Sequence, residues 1–205
     1  MQFEAVVLID NMKKNILLLI VSLFTVTLQA QEQNEHLKFK GVPINGTLQE
    51  YVQKMESVGF TPAGQENGFT LLQGDFAGYK NCTIGVATLK GKNLVSKITV
   101  AFPVNDVWST LYGTYSNLKD MLTEKYGSPA NSVENFQGYS QPSTDDDKIH
   151  EVKMDECKFI TLFSPKQGDI ELQISHDGVT SCFVILSYFD GINTNIIRKK
   201  AIDDL

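Results

Sequence analysis

The chain has 205 residues, with 18 Lys and Arg against 24 Asp and Glu, for a formal net charge of −6. That acidic balance argues against nucleic acid or an anionic membrane surface as a partner, since both are polyanions. The three cysteines show no CxxC or Cys/His spacing that would suit zinc.

The first legible segment runs from Met12 to Ala30. Lys13 and Lys14 give a basic start, and Ile16 to Leu28 is an apolar run broken by Ser22, Thr25 and Thr27. Leu28-Gln29-Ala30 then offers a small residue at a cleavage point before Gln31. This is the three-part layout of a secretory signal peptide, too short in its apolar part for an ordinary membrane span. Glu4 and Asp10 sit upstream of it, which favours Met12 as the true start; an uncleaved anchor that adds Val6 to Ile9 is the alternative. No Cys follows the apolar run to take a lipid. Residues 1–30 are therefore read as an upstream extension and signal peptide. Residues 31–205 are read as a single exported domain, periplasmic or secreted, without stable membrane insertion.

Gln31 to Lys38 reads as a polar leader, and Phe39 to Ile44 as a brief strand. Thr47-Leu48-Gln49-Glu50 fits a capping box, in which hydroxyl and carboxylate satisfy free amides at a helix start. Leu48, Tyr51, Val52, Met55 and Val58 then form one apolar stripe, and Gly59 is placed to end the helix. Three strands follow, over Phe69 to Phe76, Tyr79 to Leu89 and Leu94 to Phe102, with Gly91-Lys92-Asn93 as a hairpin turn. In the last, Ile98, Val100 and Phe102 alternate against Lys97, Thr99 and Ala101.

Asp106 is positioned to cap a second helix carrying Trp108, Leu111, Tyr115, Leu118 and Leu122 at steps of three and four. Gly127 and Pro129 close it. Ser128 to Lys148 reads as a polar loop. Three more strands are predicted over Ile149 to Phe163, Asp169 to Ser175 and Ser181 to Phe189, with Asp177-Gly178 as a hairpin turn. Asn193 to Asp204 suits a terminal helix, and Arg198-Lys199-Lys200 a solvated tail.

The predicted fold class is α+β: two tandem helix-plus-antiparallel-sheet (αβββ) units, about 45–103 and 105–190, packed as one domain. A helix with three strands makes a thin core alone, so the units are expected to join or stack their sheets.

Chemistry-bearing residues are sparse. Asp145-Asp146-Asp147 lacks the alternate spacing and the Gly of a calcium loop, because Ile149 and His150 stand there; it reads as a solvated acidic loop. The scattered glycines form no phosphate loop, and no Gly-x-Ser-x-Gly or His-Glu-x-x-His occurs. No motif asks for a cofactor or a metal. His150 or His176 could pair with Cys157 as base and nucleophile, although nothing local supports the pair. In an oxidising compartment one disulfide can close among Cys82, Cys157 and Cys182. Cys157 with Cys182 is the favoured pairing, both lying in strands of one half, and three buried thiols are the alternative.

The run Leu37-Lys38-Phe39-Lys40-Gly41-Val42-Pro43-Ile44-Asn45-Gly46-Thr47 resembles the mature start of small exported proteins of Bacteroides and relatives. So does Phe102-Pro103 with Trp108, Leu111, Tyr115, Leu118-Lys119, Leu122 and Lys125-Tyr126-Gly127-Ser128-Pro129. That group carries no assigned chemistry, so the resemblance transfers no catalytic residue. The element order is similar to β-lactamase-inhibitor-protein-like folds, which implies protein binding on a sheet face.

The expectation is thus a non-enzymatic exported protein that binds a protein of the cell envelope, or a small ligand, through a sheet face or groove. Tyr79, Phe136, Tyr139 and Tyr188 lie outside the helical stripes and are the candidate contact patch, because aromatics are enriched at interfaces. The alternative is a cell-envelope hydrolase with a dispersed site of His150, His176 and a nearby Asp or Cys.

Overall fold

Two capped helices and a row of alternating strands set the frame of the computed structural model, which describes residues 35–66, 69–89, 91–138 and 141–196. Residues from His36 onward form one compact unit. The segment read as a signal peptide, Tyr139 and the basic cluster Arg198–Lys200 lie outside the described residues.

A two-stranded ribbon opens the fold: β1 (Lys38–Phe39) pairs with β2 (Val42–Pro43). Lys40 (φ 50°) and Gly41 (φ 80°) make the turn, both in the left-handed region that a tight hairpin requires. Helix α1 (Leu48–Ser57) follows, its start fixed by the expected capping box: Glu50 N donates to Thr47 Oγ1 and Thr47 N to Glu50 Oε2. Tyr51 and Met55 are its buried face. Then come β3 (Thr61–Glu66), β4 (Phe69–Phe76), β5 (Tyr79–Thr88) and β6 (Val95–Ala101).

The second half repeats this order with one insertion. Helix α2 (Trp108–Tyr126) leads to β7 (Asn131–Phe136), α3 (Asp145–Lys153), β8 (Cys157–Phe163), β9 (Gly168–Asp177) and β10 (Ser181–Asp190). The fold is α+β, mostly sheet. All eight strands from β3 onward join in one antiparallel sheet of order β3-β4-β5-β6-β10-β9-β8-β7. Each half is a four-stranded meander, and the last strands of the two halves, β6 and β10, pair at the centre.

Register divides the sheet into two faces. Leu72, Ile84, Val100, Leu186, Leu172 and Thr161 lie opposite one another in a single row across six strands. Their side chains meet Tyr51 and Met55 of α1, Leu111, Tyr115, Leu118 and Leu122 of α2, and Ile149 and Val152 of α3 in one core. Each Leu or Ile fully buried there contributes roughly 1.5–3 kcal/mol. The opposite face carries no helix among the described residues.

The sequence reading is corrected in four places. Each half has four strands rather than three, the additional ones being β3 and β7. Both are edge strands: β3 is exposed throughout, and β7 buries only part of one face, so neither shows strong apolar alternation. Both also carry devices that blunt a free edge. β3 has Pro62 and a register shift at Gly64. β7 turns Glu134 inward, where Lys119 holds it in an ion pair and Ser132 Oγ donates to it at 2.9 Å.

The acidic run is not a loop. Asp145–Asp147 is the first turn of α3, capped by Thr144, whose hydroxyl accepts from Asp147 N. Carboxylates stabilise that end of a helix. The predicted strand from Ile149 is accordingly the end of α3, a turn with Asp155 at φ 58°, and then β8. His150 lies on the helix. Finally, α2 begins without a side-chain cap, at Val107. Asp106 instead accepts from Cys182 N at 3.0 Å and pairs with Lys153 Nζ at 3.1 Å, tying the α2 start to β10 and α3.

At the far end of β10, Asp190 is fully buried. It accepts from Leu37 N (2.8 Å) and Asn193 N (2.9 Å), and His36 Nδ1 lies 3.0 Å away. This carboxylate pins the start of the unit to the helical residues 191–196. No described helix is long and apolar enough to cross a membrane.

Candidate binding face

The helix-free face of the sheet is built by the alternate positions of the same strands. One row runs Leu71, Gly85, Thr99, Ser187, Glu171, and the next Gln73, Thr83, Ala101, Ile185, Gln173. Solvent-facing strand positions are usually charged or large and polar; here the central ones are small or apolar. On β5 and β6 the side chains are Thr83, Gly85, Thr99 and Ala101. Phe69 and Leu71 rise beside them from β4, and Phe183 and Ile185 from β10. The result is a trough of about 680 Å³ with a floor of small residues between apolar walls. Its ends are marked by Glu66 and Asp177, and the lining contains no Lys or Arg among the described residues.

The spacing of the walls follows from the sheet. β4 and β10 are separated by β5 and β6, three strand spacings, or about 14 Å between backbones. The floor is therefore wide enough to receive a chain segment. Val104 (58 % exposed) extends the lining as an apolar lip past the end of β6. Beyond the trough, Lys97 Nζ lies 4.7 Å from the centre of the Phe189 ring, and burial of its stem lowers the pKa of Lys97. Thr99 and Ser187 hydroxyls are in contact at 3.3 Å, and Thr83 also presents a hydroxyl to the floor.

The aromatic patch read from the sequence does not assemble. Tyr188 is in phase with Val184 and Leu186, is 4 % exposed, and packs edge-on against Phe39 on the helix side. Phe136 packs against Trp108 and Phe159, also under the helices. Tyr79 is half-buried, stands edge-on to Phe102, and accepts from Asn117 Nδ2 at 3.2 Å. Tyr139 lies outside the described residues.

The histidines and cysteines meet only in part. His176 on β9 is directly opposite Cys182 on β10, and the β8–β9 register carried on by three residues puts Cys157 on its other side. The ring of His176 is engaged at both nitrogens: Nε2 lies 2.9 Å from Asp155 Oδ1 and Nδ1 2.6 Å from the Gly178 carbonyl oxygen. Both partners are acceptors, so the arrangement favours the doubly protonated ring. The Asp155 carboxylate, then the Gly178 carbonyl, raise its pKa. A ring in that state has no lone pair with which to take a thiol proton.

The thiols are shifted the wrong way for a nucleophile as well. Burial pushes Cys157 up to about 12 and Cys182 up to about 11, and it raises Cys82 too. His150 is exposed on α3, away from this row. The favoured disulfide is not formed: all three cysteines are free thiols. β9 intervenes between Cys157 and Cys182, which puts their backbones about 9.6 Å apart, beyond the roughly 7 Å limit for a bridge. No group of three His, Cys, Asp or Glu among the described residues could hold a metal ion.

Fold and face together define an α+β protein with its helices on one side of the sheet and an open trough on the other. No family model, curated protein sequence or solved structure matches the chain.

Proposed function

We propose that this is an exported, non-enzymatic binding protein of the periplasm or extracellular space, which captures a protein partner through the open face of its sheet. The observation that carries the reading is the trough itself. Four strands combine to put small residues on its floor and Phe69, Leu71, Phe183 and Ile185 along its sides, on a face that no described helix covers. Apolar side chains grouped on an uncovered face mark an interaction site. A protein segment suits it better than a small molecule, because ligand pockets enclose most of their ligand and no described element roofs this floor.

The hydrolase alternative loses support from the state of its own residues. Both ring nitrogens of His176 are engaged by acceptors, burial raises the Cys157 and Cys182 thiols, and His150 is exposed on α3.

The experiment is site-specific photocrosslinking in the exporting cell. A photoreactive residue at Thr99, on the floor, is expected to give a discrete adduct that Phe183→Glu abolishes. The same residue at exposed Met121 on α2 is expected to give none. Equal adducts at both positions, or none at Thr99, would overturn the reading.

A further inference from the structure

The charges around the trough narrow what it can hold. Its described lining includes two carboxylates, Glu66 at the β3 end and Asp177 at the β9 end, and no Lys or Arg among the described residues. Neither carboxylate is paired to a Lys or Arg among the described residues. His176, which also belongs to the described lining, is balanced by Asp155 when its ring is protonated. Between the two carboxylates the surface is apolar on its walls, with the Thr83 and Thr99 hydroxyls on the floor. The whole chain carries −6, so its long-range field adds to the same sign.

We infer that the occupant is a basic, amphipathic segment of a partner protein: apolar side chains set between the walls, and Lys or Arg reaching Glu66 and Asp177. This deepens the sheet-face reading and rests on it. An acidic segment would place its carboxylates beside two others at the ends, and like-charge juxtaposition disfavours a partner more strongly than opposite charge rewards one. Anionic lipid and nucleic acid are disfavoured by the same sign, which leaves protein as the source of the cation.

The test uses ¹⁵N-labelled full-length protein and three synthetic peptides of about twelve residues, long enough to lie across the sheet. Each has Leu at alternate positions, with Lys, Ser or Glu between. The Leu-Lys peptide is expected to shift the amides of Phe69, Gly85, Thr99, Ala101 and Phe183, and the Leu-Glu peptide to leave them in place. The double variant Glu66→Gln, Asp177→Asn is expected to weaken the Leu-Lys peptide roughly two- to tenfold, as is high salt, the range for exposed ion pairs.

If the Leu-Ser or Leu-Glu peptide binds the trough as tightly, the charge inference is overturned and the face reading stands. If no peptide touches the trough while the Thr99 crosslink persists, the inference again falls alone. Loss of the position-specific crosslink removes both.

Discussion

Gly85 lies under the ring of Phe69: a Cβ placed on the glycine would stand 3.0 Å from Phe69 Cδ1. The ring of one strand thus covers the bare backbone of the next and sets the depth of the floor between them. Gly85→Ala would lift the floor and push the ring outward. Expected is a several-fold loss of partner affinity with a stability change of no more than about 1 kcal/mol, since Ala also restricts the unfolded chain. Urea unfolding beside a binding titration separates the two. A large loss of stability, or unchanged binding, would count against the trough as the contact surface.

Tyr51 and Tyr115 are both fully buried, yet only one phenol is satisfied. Tyr115 Oη lies 2.6 Å from Thr161 Oγ1, itself 2.9 Å from Ser132 Oγ. Tyr51 Oη has no hydrogen-bond partner among the described residues. A buried polar atom without a partner costs about 1–3 kcal/mol, whereas a made bond returns about 1. Tyr51→Phe is therefore expected to raise stability by about 1 kcal/mol, and Tyr115→Phe to lower it by about 1–2 kcal/mol. Denaturant midpoints of the two variants check the contrast, and equal shifts would contradict it.

His176 makes stability depend on pH. Its folded pKa is raised above the ordinary 6.5, so the folded protein holds the ring proton more tightly than the unfolded chain does. The stabilisation is fully present below about 6.5 and is lost as pH rises through the folded value. The groups facing the ring are Asp155, Asp177 and the protonated thiols of Cys157 and Cys182. Melting temperature is expected to fall as pH rises above about 6.5, and Asp155→Asn to flatten that slope. A slope that survives this substitution would place its origin elsewhere.

The thiols are expected to be inert. With Cys157 raised to about 12, its thiolate fraction at pH ~8 is on the order of 10⁻⁴. Native protein recovered from an oxidising compartment is expected to hold three free thiols that iodoacetamide labels only after denaturation. Rapid labelling of native Cys157 would restore a nucleophile to the row around His176. A Cys157–Cys182 bridge would contradict the strand order.

The legible parts of the fold were those where burial imposes a period. The capping box at Thr47 and the stripe of α2 gave both long helices, and the alternations of β5, β6, β9 and β10 gave the central strands. The edges hid because they bury little: Thr61–Glu66 is exposed at every position. Asp145–Asp147 read as a loop because helix-start carboxylates and loop carboxylates look alike until the cap at Thr144 is counted.

The strands of the proposed face are legible, but aromatic residues do not mark it. Tyr188 shares its parity with Val184 and Leu186, which places it in the core. The usable signal lay in what the outward positions lack: Thr83, Gly85, Thr99, Ala101, Phe183 and Ile185 are uncharged at alternate positions of three neighbouring strands. Their pairing depends on β6 meeting β10 across most of the chain, which no local pattern reveals.

Oxidative footprinting of the protein in its native compartment, compared with the purified protein, reads directly whether the trough is occupied. Phe69, Leu71, Phe183 and Ile185 are expected to be protected in the cell and labelled when purified, while Met121 and Met154 on the helix side are labelled equally in both. Equal labelling of the trough residues in both states, or protection confined to Met121 and Met154, would contradict the account.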